Sequence, residues 1–475
     1  MTAVLDSLSQ IMETFGAAIV VPIVLFFICL IMKVSPKKAT QSALNAGIGL
    51  IGFNFLISAY TPVVTAVIQR MVETTGVNLN MIDTGWQATS VVAYSTQVGM
   101  IFLGFGLLLQ TLLFVFKVYN IFMPSDLWNN YSFMLWGSMI FLVTGNLWLA
   151  LLLMTVQNLY TLAINEVLAK RWATYYGYPG TTMTAPHDVA SVPLALLMDF
   201  FLTKLGANKI KLDPEYLQAK MGFLGEPSSL GFVLGLILGL AGNFTRITTL
   251  EAWGEITLVG VATAAIMAIF PRIAGIFASA FTAITDHSKK STKSSEADER
   301  EWYLAINDAA GYGEPATLLS GMILIPIIIV LAIILPGNQA LPMVDLIAIP
   351  YLLQGIVPFV NGNIFKTIII GGTYLTCALY LITRVAPIFT EVAISVGVDL
   401  PSGAVMIFSL LVVGNLLFGS LFLIFLTQNP FLIGATIVLY ILLYSYIRKN
   451  RAKIEAYVER QALASTAESE TGDFR

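Results

Sequence analysis

Residues 131–168 read YSFMLWGSMIFLVTGNLWLALLLMTVQNLYTLAINEVL, and the class of the fold turns on them. A membrane crossing needs about 20 predominantly apolar residues to span roughly 30 Å of hydrocarbon, so this stretch holds two. Gly145 and Asn146 mark the break, because glycine tolerates a tight turn and asparagine caps the helix that follows. The pattern recurs from end to end. Plain apolar runs lie at about 14–32, 43–60, 98–116, 229–242, 255–283, 317–335, 366–383, 404–426 and 431–447, which gives about eleven crossings by the same length rule. With 57% of the 475 residues hydrophobic and only 11% charged, the sequence predicts an all-α integral membrane protein and excludes a soluble fold.

Charge narrows the reading further. Twenty-five bases against 28 acids leave a net charge of −3, which offers no basic field for nucleic acid. Lys33, Lys37 and Lys38 follow the first run, and Arg448, Lys449, Arg451 and Lys453 follow the last. Bases near span ends face the cytoplasm, so the N-terminus is expected outside and the C-terminus inside. Asp6 and Glu13 precede the first run without any base, the wrong flank for a cleaved signal peptide; that run is expected to remain as a span. Cys29 and Cys377 each lie within an apolar run, which suits packing rather than a disulfide or a metal site.

Four segments, at about 80–97, 178–203, 302–316 and 336–363, are too polar and too rich in Gly or Pro to face lipid, yet too apolar for ordinary loops. Irregular backbone at membrane depth survives only when buried in protein or lining a wet cavity. Re-entrant hairpins or broken helices are therefore expected there, the pieces from which transporter sites are built. Asp286 to Glu301 reads as an aqueous, flexible linker, and Ala462 to Arg475 as a polar, disordered tail. Weak internal echoes divide the chain into two related halves. Gly225-Glu226-Pro227 is matched by Gly313-Glu314-Pro315, and Ile82-Asp83-Thr84-Gly85-Trp86 by Ile306-Asn307-Asp308.

Ionisable groups at membrane depth are costly enough that function is their default reading. His187 and Asp188 are adjacent, just after Pro186; an imidazole and a carboxylate together suit a polyhydroxylated ligand. In the first polar segment Asp83, Thr84, Gly85, Trp86 and Gln87 stand together. An indole face stacks on the C–H surface of a sugar, while Thr and Gln bond its hydroxyls. Asn307 and Asp308 take the corresponding place in the second half, with Glu314 six residues on. A capping role at a helix N-terminus is the competing account of these acids and suffices for Glu226. Asp199 and Asp345 are buried-charge candidates without an evident partner. The chain has no Walker loop, no hydrolase motif, no arginine ladder and no potassium-channel filter. What remains is a carrier for a small polar solute, with no cofactor and no metal.

Several stretches resemble a known family. Met221-Gly-Phe-Leu-Gly-Glu-Pro-Ser-Ser-Leu-Gly, Leu335-Pro-Gly-Asn-Gln-Ala-Leu-Pro-Met-Val-Asp-Leu, Ala46-Gly-Ile-Gly-Leu-Ile-Gly-Phe, Asp83-Thr-Gly-Trp and the Pro186-His187 step are similar to the galactitol-type IIC permeases of the bacterial phosphoenolpyruvate-dependent sugar phosphotransferase system. The resemblance covers about residues 15–450 and extends to the ascorbate-type relatives. It implies a homodimeric inner-membrane carrier of two inverted five-helix repeats, with a scaffold of V-shaped motifs and a core domain that moves like an elevator. On this chain the scaffold would be 1–78 and 226–285, the core 79–225 and 302–400, the linker 286–301, the C-terminal helices 401–448 and the tail 449–475. The implied sugar pocket falls on Thr84, Gly85, Trp86, His187, Asp188 and Asp308. Asp188 stands where the family often has glycine, and the stretch around Trp136 is a weak match.

The resemblance also implies phosphoryl flow from a phosphohistidine on IIA to a phosphocysteine on IIB and then to the sugar. With no cytosolic cysteine here, IIA and IIB are expected to be separate chains, and the permease carries no phosphoryl group of its own. Two other mechanisms fit the residues alone. One is a secondary transporter driven by protons bound at His187, Asp188 or Asp308. The other is a passive polyol channel, which suits broken helices less well.

Overall fold

The structure, a computed structural model, describes residues 17–31, 33–75, 79–125, 128–281, 301–400 and 404–467. Asp6, Glu13, nearly all of the expected linker and the last eight residues lie outside these. Chain order is α1 Ala17–Ile31, α2 Pro36–Thr75, β1 Met81–Asp83, α3 Trp86–Ser95, α4 Gln97–Val115, β2 Ile121–Phe122, α5 Tyr131–Thr144, α6 Leu147–Tyr176, β3 Thr181–Met183, α7 Pro186–Val189, α8 Val192–Lys204, α9 Pro214–Met221, α10 Pro227–Gly242 and α11 Leu250–Ser279. The second half follows with β4 Tyr303–Ile306, α12 Ala309–Tyr312, α13 Pro315–Ile334, β5 Ala340–Leu341, α14 Ile349–Leu353, α15 Ile364–Ser395, β6 Met406–Phe408, α16 Leu416–Leu426 and α17 Pro430–Ala467.

Among the described residues seven helices are long and apolar enough to cross a membrane: α2, α4, α6, α11, α13, α15 and α17. A further pair, 186–204 with 207–225, would make an eighth span but bends by 81°. Helices α5, α10 and α16 are apolar but shorter. The break inside residues 131–168 falls where glycine and asparagine place it. Gly145 ends α5 at φ 68°, and the Asn146 side chain accepts from Leu149 N at 3.0 Å to start α6.

Two sequence expectations change. The apolar run at 404–426 is not one span: residues 406–408 form a strand, and helix begins only at Leu416, where Asn415 caps Phe418 N at 3.0 Å. Composition could not separate strand from helix in so apolar a run. The tail is helical as far as Ala467, because α17 continues beyond its apolar part and its acids meet bases on α6, with Lys170–Glu455 and Arg171–Glu459 both at 3.2 Å.

Helices α1, α2, α10 and α11 pack on one another. Within that group Gly231, Gly235 and Gly239 let α10 meet α11 closely; a Cβ on Gly235 would lie 2.7 Å from Val259 O. Such spacing of small residues permits close helix contact in lipid. The remaining elements form a second group around two small parallel sheets, ordered β5-β1-β6 and β2-β4-β3. In each sheet the central strand comes from one half of the chain and both flanking strands from the other. Exchanging β1 with β4, β2 with β5 and β3 with β6 turns one sheet order into the other, and the echoed sequences at 82–86 and 306–308 sit at the ends of the two central strands.

Candidate functional site

The chain leaves each parallel sheet into polar turns, and those turns build the site. At the end of β1, Asp83 is 1% exposed. Its carboxylate accepts backbone N–H bonds from Gly85 at 3.0 Å, Met343 at 3.2 Å, Asp345 at 2.8 Å and Leu410 at 3.4 Å. Asp345 accepts from Trp86 N at 3.2 Å, from Leu411 N at 3.1 Å and from the Ser409 hydroxyl. Each buried carboxylate is thus satisfied by donors from both halves of the chain, as burial of a charge demands. Gly85 is required here: its φ is 80°, and a Cβ would come within 2.8 Å of Val344.

Thr84 donates its hydroxyl to Phe408 O at 3.3 Å, and the exposed Gln87 folds its amide oxygen back over Gly85, where an added Cβ would lie 2.7 Å from it. Trp86 is half-buried, with its ring centroid 6.5 Å from that of Tyr131. Tyr131 lies within electrostatic reach of both Asp345 and Asp308, and Asp345 within that of His187. The ends of the two sheets therefore lie near each other.

At the second sheet, β3 runs through Thr184 and Ala185 into the single-turn α7, where Pro186 is the first helical residue and His187 and Asp188 follow. His187 Nε2 lies 2.8 Å from Asp308 Oδ2 and 3.4 Å from Asp188 Oδ1. All three residues are buried. His187 Nδ1 has no hydrogen-bond partner among the described residues. The turn is held in place by Asn415, which donates to Pro186 O at 2.9 Å, and by Gln354, which donates to Asp308 O at 2.6 Å. Gly355 lets the neighbouring turn approach, since a Cβ there would lie 2.1 Å from Asp188 O. Tyr351 meets the His187 ring edge-on at 6.3 Å and stands 4.7 Å from Tyr312.

The ligating atoms of His187, Asp188 and Asp308 lie within 4.8 Å of one another, a spacing that admits a small cation. The direct 2.8 Å contact already uses His187 Nε2 and one Asp308 oxygen. What the arrangement offers a polyol is a set of carboxylate acceptors, an imidazole able to exchange a proton, and aromatic faces from Trp86, Tyr131 and Tyr351.

Other acids take structural places. Glu314 caps α13, accepting from Ala316 N at 3.0 Å, Thr317 N at 2.8 Å and the Thr317 hydroxyl at 2.6 Å, and it accepts from Tyr175 at 3.0 Å. It lines a cavity of about 300 Å³ between α11 and the 175–178 turn rather than the His187 cluster. Glu226 occupies the same position before α10, the N-cap expected for it, but its side chain makes no capping hydrogen bond. Asp199 has a partner that sequence did not supply, the fully buried Lys366, at 2.8 Å. Tyr131, Tyr351, Gln354 and Ser409 went unflagged in the sequence. Tyr351 and Gln354 fall within the irregular segments, which was the available signal, whereas Tyr131 and Ser409 lie in apolar runs.

Residues 10–403 match the family model described as the sugar-specific permease component of the phosphotransferase system. An Escherichia coli K12 protein named "Putative permease IIC component" is 30% identical over 402 residues, 84% of this chain and 90% of the relative. The galactitol-specific EIIC components of Escherichia coli K12 and O157:H7 are each 25% identical over 385 residues, 80% of this chain and 83% of theirs.

Proposed function

Because the chain belongs to the sugar-specific permease component family of the phosphotransferase system, we propose that it carries a sugar alcohol such as galactitol, or a related polyol, and presents it for phosphorylation. The observation that carries this reading is the buried contact between His187 and Asp308, which joins irregular turns from the two halves opposite the Trp86–Asp345 cluster. Thr84, Gly85, Trp86, Gln87, His187, Asp188 and Asp308 form or shape the pocket, with Tyr131 and Tyr351 as further walls. Glu314 acts at a distance, by holding the start of α13.

In the transfer step the S–P bond of a phosphocysteine on IIB breaks as an O–P bond forms at a sugar hydroxyl. The hydroxyl proton passes to the His187–Asp308 pair. The Asp308 carboxylate, 2.8 Å from Nε2, fixes the orientation of the imidazole for that step. The protein acts as a homodimer with its C-terminus in the cytoplasm. Helices α1, α2, α10 and α11 are the scaffold against which the other group moves. The exchanged strand order supports two inverted repeats.

Labelled galactitol and a panel of polyols test the reading in cells that hold this chain with IIA and IIB. Label recovered as a phosphate ester, dependent on IIB and insensitive to a protonophore, is the expected result. Free solute whose uptake collapses with the protonophore would replace it with a proton-coupled carrier.

A further inference from the structure

Helix α6 carries two asparagines seven residues apart, Asn158 and Asn165. Seven residues make two turns less about 20°, so both side chains leave the same face, roughly 10 Å apart along the axis. Helix α6 packs on β3 and on the α7 turn, and Asn165 shows that this is the face that does so. Its Nδ2 donates to Met183 O, and its Oδ1 accepts from the Thr182 hydroxyl at 3.0 Å. Both asparagines are fully buried, but Asn158 makes no such bonds. Its Nδ2 and its Oδ1 each lack a hydrogen-bond partner among the described residues.

Neighbouring contacts set Asn158 close to the His187 turn. Gln157, next to it in the chain, donates from Nε2 to Phe418 O at 3.3 Å. One turn before Phe418 on α16 is Asn415, which holds Pro186 O at 2.9 Å, immediately before His187. From the other side Gly137 of α5 packs on Met154. One turn along the α5–α6 hairpin from that contact, Phe133 comes level with Asn158, and Phe133 meets Phe418 at 5.6 Å. Burying an amide without partners costs the desolvation of both its ends, and native interiors rarely leave such a group unexplained. The His187 turn holds another buried atom of this kind, His187 Nδ1.

We propose, resting on the polyol reading of the His187 site, that Asn158 is a specificity-determining residue of that site and pairs with adjacent hydroxyls of the sugar alcohol. An amide offers an acceptor oxygen and two N–H donors in one plane. A hydroxyl that donates and a neighbour that accepts satisfy it together. A ligand that lacks either hydroxyl leaves the amide buried and unpaired, which is how a polar site rejects a near analogue. Asn158 thus sorts polyols, while proton transfer stays with His187 and Asp308.

Isothermal titration of the purified full-length parent, N158A and N158S with galactitol and its monodeoxy analogues tests the assignment. N158A is expected to bind galactitol about 10-fold more weakly, the loss for one or two neutral hydrogen bonds. That loss should shrink for the analogue missing a hydroxyl that pairs with the amide. Thermal unfolding without ligand supplies a second readout. N158A gives up no hydrogen bond and should unfold at the parent's temperature or above, whereas N165A gives up two and should unfold earlier. Unchanged galactitol binding by N158A, beside a parent that binds, would overturn the role of Asn158 alone. Equal losses for every analogue would do the same by making the effect one of shape, as would unfolding of both N158A and N158S as early as N165A, which would make the residue structural. A parent that binds no polyol of the panel would overturn the polyol reading and the role of Asn158 with it.

Discussion

Replacing Asp308 with asparagine removes one charge and almost no volume, which makes it the sharpest probe of the pocket. The surroundings of that side chain should survive the change. An amide oxygen can still accept from His187 Nε2, now 2.8 Å from the carboxylate, and Gln354 bonds the backbone carbonyl of residue 308 rather than its side chain. On the proposed reading, what is lost is a charged acceptor for a sugar hydroxyl. Hydrogen bonds to charged groups contribute about 1.5–3 kcal/mol, so polyol binding should weaken by roughly 10- to 150-fold. Isothermal titration of the purified full-length D308N variant with galactitol measures that change, and thermal unfolding in the same detergent reports whether the fold persists. An unchanged binding constant in a folded variant would refute the argument and remove Asp308 from the sugar's surroundings.

Two further outcomes test the structural assignments. Lys366→Met strands Asp199 without its partner and should cost about 3–5 kcal/mol, whereas the K366M/D199L pair should recover most of that loss; equilibrium unfolding of the purified variants decides, and a K366M protein as stable as the parent would count against the ion pair. Glu314→Gln removes the charge from a cap that serves two backbone amides and Tyr175 and should cost on the order of 1 kcal/mol, while Glu226→Gln, where no capping bond exists, should leave stability unchanged by the same measurement.

How much of this was legible in the sequence depended on the kind of signal. Apolar length located the long helices, and Gly145-Asn146 located a break between two of them, because cap and turn chemistry are local. The irregular segments were visible as polar interruptions, and His187, Asp188 and Asp308 stood out because ionisable groups at that depth are rare. Pairing was not legible. The Lys366–Asp199 contact joins α15 to α8 across 167 residues, and the Asp83 carboxylate is held by amides at 343, 345 and 410. Nothing near either residue in the chain announces its partner. The strand at 406–408 was hidden for a related reason: it is fixed by pairing with β1, while its own composition reads as helix. Glu226 and Glu314 share one local motif yet differ in use, since only Glu314 has Tyr175 and Thr317 within reach.

The strand exchange also limits how the molecule can move. Each sheet takes its centre from one half of the chain and its edges from the other, so drawing the halves apart would break both ladders and unseat Asp83 and Asp345 from their amide donors. At membrane depth those groups would find no water to replace them. The contact between the two helix groups is built differently. There Phe270 on α11, itself stacked on Phe53 of the same group at 4.7 Å, lies 5.6 Å from Tyr312 of the other, and Gly313 leaves room for the Phe270 ring, against which a Cβ would lie at 2.0 Å. Aromatic faces packed over a glycine exchange one apolar contact for another as they shift, with few hydrogen bonds to break. On the proposed elevator reading, movement between the helix groups would leave both ladders intact, with the interlocked sheets and the His187–Asp308 pair travelling together as one unit.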